Sequence, residues 1–71
     1  NILTIYPNPT DGNLLINSSN KVDEVSVYST NGVLLMKSYS KYLTISSLPK
    51  GIYFFKVKCK DEITQRIIIK K

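Results

Sequence analysis

The sequence predicts an all-β domain, two antiparallel sheets of short strands packed face to face. Three observations carry this expectation. Apolar residues recur at every second position in short runs, the period of a strand with one buried face, and no window carries a helical period. Turn signals interrupt these runs at close spacing, namely Pro7-Asn8-Pro9, Asp11-Gly12, Asn31-Gly32, Pro49 with Gly51, and Asp61-Glu62. The chain has 71 residues, enough for a single domain, so about seven such strands make a thin sandwich.

Residues 1–6 alternate Leu3 and Ile5 against Ile2, Thr4 and Tyr6, the first strand. Pro7 and Pro9 fix φ, remove two donors and hold their predecessors extended, so no helix crosses this point, and Asp11-Gly12 turns the chain. The second strand, residues 13–17, sets Leu14 and Ile16 on one face and Leu15 on the other. A polar connection over residues 18–21 leads to the third strand, about residues 22–28, where Val25 and Val27 alternate with Ser26 and Tyr28. Asn31-Gly32 is the strongest hairpin signal in the chain, because both residues tolerate the positive φ of tight turns. Residues 33–39 return, with Met36 as a flexible core filler. Leu43 and Ile45 face one way in the fifth strand, residues 42–46. The last strand, residues 63–69, carries Ile63, Ile67 and Ile69 in register, interrupted by Gln65.

The sixth strand is the most strongly patterned. Tyr53, Phe55, Val57 and Cys59 share one face, while Phe54, Lys56, Lys58 and Lys60 share the other, which describes a half-buried antiparallel strand. Leu48, Gly51 and Tyr53 at its mouth match the tyrosine corner of immunoglobulin-like sandwiches, in which a Tyr hydroxyl bonds back to backbone a few residues upstream. A buried tyrosine of any β fold is the competing account. The fold class expected is a small immunoglobulin-like antiparallel β-sandwich.

Composition narrows the chemistry. The chain has no His, so the common neutral-pH general base is missing. Its five acids lie in or beside expected turns, as Asp11, Asp23-Glu24 and Asp61-Glu62, and are read as solvated or capping groups. No loop brings the converging oxygens of a calcium site, and no metal or other cofactor is expected. A single cysteine, Cys59, rules out an internal disulfide framework and, without a base beside it, reads as a packed strand thiol. No glycine-rich phosphate loop is present. The expectation is therefore a non-enzymatic module. No apolar run is long enough to span a membrane. The abrupt start in a strand, with no signal peptide ahead of it, points to residues 1–71 as a domain from a longer secreted protein.

Net charge is +5, from ten Lys and Arg against five acids. Lys56, Lys58 and Lys60 form a cationic row whose first role is to solubilise a sheet face. Nucleic-acid binding is not expected, because Tyr53 and Phe55 lie on the face opposite the lysines, whereas a single-strand binder interleaves them. Docking on an acidic receptor suits the row better.

Four segments together carry a family resemblance. They are Tyr6-Pro7-Asn8-Pro9-Thr10-Asp11-Gly12, Val27-Tyr28-Ser29-Thr30-Asn31-Gly32, Leu48-Pro49-Lys50-Gly51-Ile52-Tyr53 and Thr64-Gln65-Arg66-Ile67-Ile68-Ile69-Lys70-Lys71. In this order, over essentially the whole chain, they resemble the type A C-terminal sorting domain of the type IX (Por) secretion system. The resemblance implies an immunoglobulin-like sandwich acting as an address label. The cargo would pass through the periplasm to the cell surface, the label being read by the outer-membrane translocon and its shuttle protein. A sortase-like cysteine protease would then remove it and join the cargo to anionic lipopolysaccharide. The residues carried over by motif are Pro7, Asn8, Pro9, Gly12, Gly32, Gly51, Tyr53, Lys70 and Lys71, and Arg66 is a further recognition candidate. The sequence departs from the pattern at three places: Ser29-Thr30 stands where an acid is frequent, Val33 where Lys often follows the Gly, and Arg66 where Lys is usual.

Within that set, Lys70-Lys71 is expected to be a contact and Gly51 with Tyr53 a scaffold, so that truncating the two lysines would block export and leave the fold near wild type. The domain is expected to be monomeric. The rival reading is a carbohydrate-binding or adhesion module of a secreted enzyme, with Tyr28, Tyr39 and Tyr42 forming one exposed platform.

Overall fold

A computed structural model describes residues 2–71; Asn1, the expected start of the first strand, lies outside the described residues. The seven strands are β1 (Leu3–Tyr6), β2 (Asn13–Ser18), β3 (Glu24–Tyr28), β4 (Leu34–Ser38), β5 (Tyr42–Thr44), β6 (Gly51–Cys59) and β7 (Glu62–Lys70). They form a three-stranded sheet, β1-β2-β5, and a four-stranded sheet, β4-β3-β6-β7, with every paired neighbour antiparallel. Hairpins join β1 to β2, β3 to β4 and β6 to β7, and the other three connections change sheets. This is the division of an immunoglobulin constant domain, except that the fourth strand pairs with the third and so joins the second sheet.

Period two governs what lies between the sheets. Leu3 and Ile5, Leu14 and Ile16, Val25 and Val27, Leu43, and Tyr53, Phe55, Val57 and Cys59 are all buried, and Ile45 and Ile68 complete the core. Val22, Met36 and Leu48 pack against its margin.

The last strand departs from its apparent pattern. Ile63, Ile67 and Ile69 do share a face, but it is the solvent face, and Ile68 alone reaches the core. Pairing explains this. Opposed residues of an antiparallel pair share a face, and inward-pointing Tyr53, Phe55 and Val57 oppose Ile68, Arg66 and Thr64. The turn before β7 also differs from expectation by one residue. It is Lys60-Asp61 rather than Asp61-Glu62, with Lys60 at φ 56° and its N–H donated to Asp23 Oδ2 at 2.7 Å. Lys60 thus leaves the cationic row and belongs to the turn.

Candidate functional site at the motif-bearing end of the sandwich

The sandwich has two ends. At one of them lie the end of β1, the start of β2, the end of β3, the start of β6 and the end of β7, which is where the four sequence motifs converge. The joining element is the segment between β1 and β2. Peptides Tyr6-Pro7 and Asn8-Pro9 are cis, and between the prolines the Asn8 side chain acts as a length of strand. Its Nδ2 donates to the Ile67 carbonyl at 3.0 Å and its Oδ1 accepts the Ile69 N–H at 2.9 Å. Thr10 continues the same pairing with its backbone, donating to the Ile69 carbonyl and accepting from the Lys71 N–H, both at 2.9 Å. β7 is an edge strand, and this segment covers the C-terminal part of an edge otherwise open to a foreign strand.

Thr10 is fully buried and its hydroxyl is used twice. It donates to the Asn13 carbonyl at 2.8 Å and accepts the Gly12 N–H at 3.0 Å. Gly12 has φ +142° and sits where a Cβ would come to 3.0 Å from Ser46 Cα, so both its backbone and its surroundings require glycine. Its carbonyl accepts the Ile45 N–H at 2.7 Å, tying the turn to the end of β5. Thr10 was not among the residues singled out from the sequence. The signal that would have found it is a Thr two residues before a turn Gly, the arrangement in which a hydroxyl caps the turn.

At the start of β6 the corner forms as expected: the Tyr53 ring is buried and its hydroxyl donates to the Pro49 carbonyl. Gly51, at φ +152°, pairs with Lys70 across β6 and β7. The Lys70 ammonium then donates to the Leu48 carbonyl at 2.8 Å, so this lysine is half-buried and holds the corner from its other side. Lys71 is exposed, 3.9 Å from exposed Asp11, an ion pair of little energetic weight. Arg66, further back on β7, sends its guanidinium across the open side of the sandwich to the Leu3 carbonyl at 3.2 Å and to its neighbour Gln65's carbonyl at 3.0 Å.

The β3–β4 hairpin holds Gly32, whose N–H donates to the Ser29 carbonyl at 3.0 Å. The Ser29 hydroxyl accepts the N–H groups of Asn31 and Val33 at 3.3 and 3.2 Å. A serine therefore does here the turn-capping that an acidic side chain at this position would do.

Cys59 lies at the opposite end of β6, buried, with its sulfur 3.7 Å from the Ser18 hydroxyl. Among the described residues no three His, Cys, Asp or Glu converge. What the end presents is lysine and fixed backbone. The tyrosines do not make the expected sugar platform. Tyr28 lies on the outer face of the four-stranded sheet and Tyr42 on that of the three-stranded sheet, while Tyr39 borders an open hollow of about 460 Å³ at the other end of the molecule.

The family model for the secretion system C-terminal sorting domain matches residues 4–70. The chain belongs to that family. A search of curated proteins gave no match. As a sorting domain of type IX secretion, it serves as a C-terminal secretion signal rather than a catalyst, which places it in a pathway leading to the cell surface or the medium. In this sorting domain the match runs from β1 to the end of β7, so both sides of the motif-bearing end fall inside it.

Proposed function

We propose that this sorting domain is read as a folded object, and that its motif-bearing end is the part read by the outer-membrane translocon and its shuttle protein. The observation that supports this is convergence. Motif residues up to 63 positions apart in sequence, including Asn8, Gly51, Tyr53, Lys70 and Lys71, meet at one end of the sandwich, where Thr10 locks the C-terminal residues into the sheet. A linear tag would need no such locking. In this reading Pro7, Asn8, Pro9, Gly12, Gly51, Tyr53 and Lys70 build the surface, Gly32 shapes the adjoining hairpin, and Arg66 ties β7 to β1. Lys71 and Lys50 are left exposed to make contact. A sortase-like cysteine protease would act upstream of the sandwich, on cargo that has reached the surface.

A reporter fusion tests the proposal. Residues 1–71 are placed after a fluorescent protein carrying a signal peptide, in a type IX-competent bacterium and in a translocon-deficient strain. Surface or medium fluorescence in the competent strain alone is the expected result. Reporter held in the periplasm of both strains, with the domain folded, would sink the proposal.

A further inference from the structure

The lysine row of β6 has no part in the motif-bearing end. It belongs to the outer face of the four-stranded sheet, where opposed residues line up in rows. Leu34, Tyr28, Phe54 and Ile67 form one row across all four strands, and Ile52 with Ile69 extend it one step toward the motif-bearing end. One step the other way stand Lys37, Ser26, Lys56 and Gln65, and beyond them Glu24, Lys58 and Ile63. Ile67, Ile52, Leu34 and Ile69 are 56%, 50%, 45% and 44% exposed, so the apolar band is open to solvent. Lys50 and Lys71 follow at its far margin, next in sequence to the paired Gly51 and Lys70. Of the acids, Glu24 is 3.6 Å from Lys37 and Asp11 3.9 Å from Lys71, while Asp61 and Glu62 lie at the β6–β7 turn beyond Lys58.

We propose that this face binds an anionic phospholipid surface, the apolar band entering the headgroup region and Lys56 and Lys58 contacting lipid phosphates. Residues two and four steps along a strand stand roughly 7 and 14 Å away on the same face, so Lys56 and Lys58 adjoin the band and meet the same surface as it does. The charge favours lipid over protein. Protein interfaces are depleted in Lys, whereas this face sets Lys37, Lys56 and Lys58 beside its apolar band. A second copy is disfavoured because a stable pair needs about 20–30 residues a side, far more than this band supplies. Lys56 also lies 5.0 Å from the Tyr28 ring centroid, so cation and apolar band form one continuous surface.

This inference rests on the sorting-domain reading only for where such a surface is met, the periplasmic leaflet of the outer membrane. The test is co-sedimentation of the 71-residue chain with vesicles of mixed phosphatidylethanolamine and phosphatidylglycerol, against pure phosphatidylcholine. Binding to the anionic vesicles, lost at high salt, is expected. Lys56→Gln with Lys58→Gln should weaken it about 25-fold, at roughly fivefold per lysine. Ile67→Thr with Ile69→Thr, which keeps β-branched side chains in β7, should weaken it about tenfold with unchanged thermal unfolding. Three results would overturn the proposal: no vesicle binding, binding that these variants leave intact, or self-association that Ile67→Thr with Ile69→Thr abolishes in place of vesicle binding. Export lost in these variants when the parent chain binds no vesicles would instead assign the band to an acidic protein. Vesicle binding with the reporter still trapped in the periplasm would remove the sorting proposal and leave this one standing.

Discussion

Tyr53 joins core and corner through one side chain, its ring buried between the sheets and its hydroxyl held by the Pro49 carbonyl. Tyr53→Phe keeps the ring and leaves that carbonyl without its donor, and should cost about 1 kcal/mol, read from the urea midpoint. An unchanged midpoint would mean that water replaces the hydroxyl at no loss. Phe55, with no exposed surface, is the largest of the fully buried side chains. Phe55→Ala should cost about 3–5 kcal/mol, through lost transfer energy and the cavity left behind. Gly12→Ala should destabilise by about 1–3 kcal/mol, since alanine meets both the φ of +142° and Ser46 Cα at 3.0 Å. A melting temperature equal to that of the parent chain would show that the turn can shift away from β5.

β7 shows why the C-terminal segment cannot be treated as a detachable tail. Its residues pair with β6 on one side and with Asn8 and Thr10 on the other, up to the Lys71 N–H. Removing Lys70 and Lys71 takes away the Gly51 partner, the ammonium that binds the Leu48 carbonyl and one of the Thr10 bonds. The truncated chain should therefore melt measurably lower, in contrast to the near-wild-type fold expected from sequence. The variant that separates recognition from folding is Lys71→Ala, because among the described residues that side chain makes only the long contact with Asp11. Asn8→Ala should speed amide exchange at Ile69 about tenfold, the equivalent of one net hydrogen bond. Exchange at Ile69 as slow as in the parent chain would show that Thr10 alone secures this edge.

A single domain of 71 residues has only a few kcal/mol to lose. At this scale fold and signal become hard to separate, and the fusion assay needs a folding readout beside it. Phe55→Ala should abolish both cooperative unfolding and reporter export. Lys71→Ala should keep cooperative unfolding, measured by circular dichroism, and reduce export. Export retained by an unfolded Phe55→Ala domain would show that the translocon reads a linear segment. The outer face of the four-stranded sheet would then have to be tested for lipid binding on its own, since that property requires the strands to be paired.

Alternation along each strand determined most of the interior without any structure. Leu3 with Ile5, Leu14 with Ile16, Val25 with Val27, and the run from Tyr53 to Cys59 are buried as their spacing requires, and Gly51 with Tyr53 gives the corner. The absence of His from the chain was equally plain in the sequence. The face of β7 was misleading, because three isoleucines on odd positions outnumber the one that packs. Hairpin arithmetic offered a correction: a two-residue turn, at residues 60–61 or 61–62, opposes odd positions with even ones and so turns Ile68 inward. Other features were beyond local reasoning. The backbone pairing of Thr10 with Ile69 and Lys71, the use of Asn8 as a substitute strand, the Lys70 bond to Leu48 and the six-residue apolar band all join residues far apart in the chain. Period and turn chemistry describe each strand against its own neighbours in sequence, and only the pairing of strands decides which of them come to share an edge or a row.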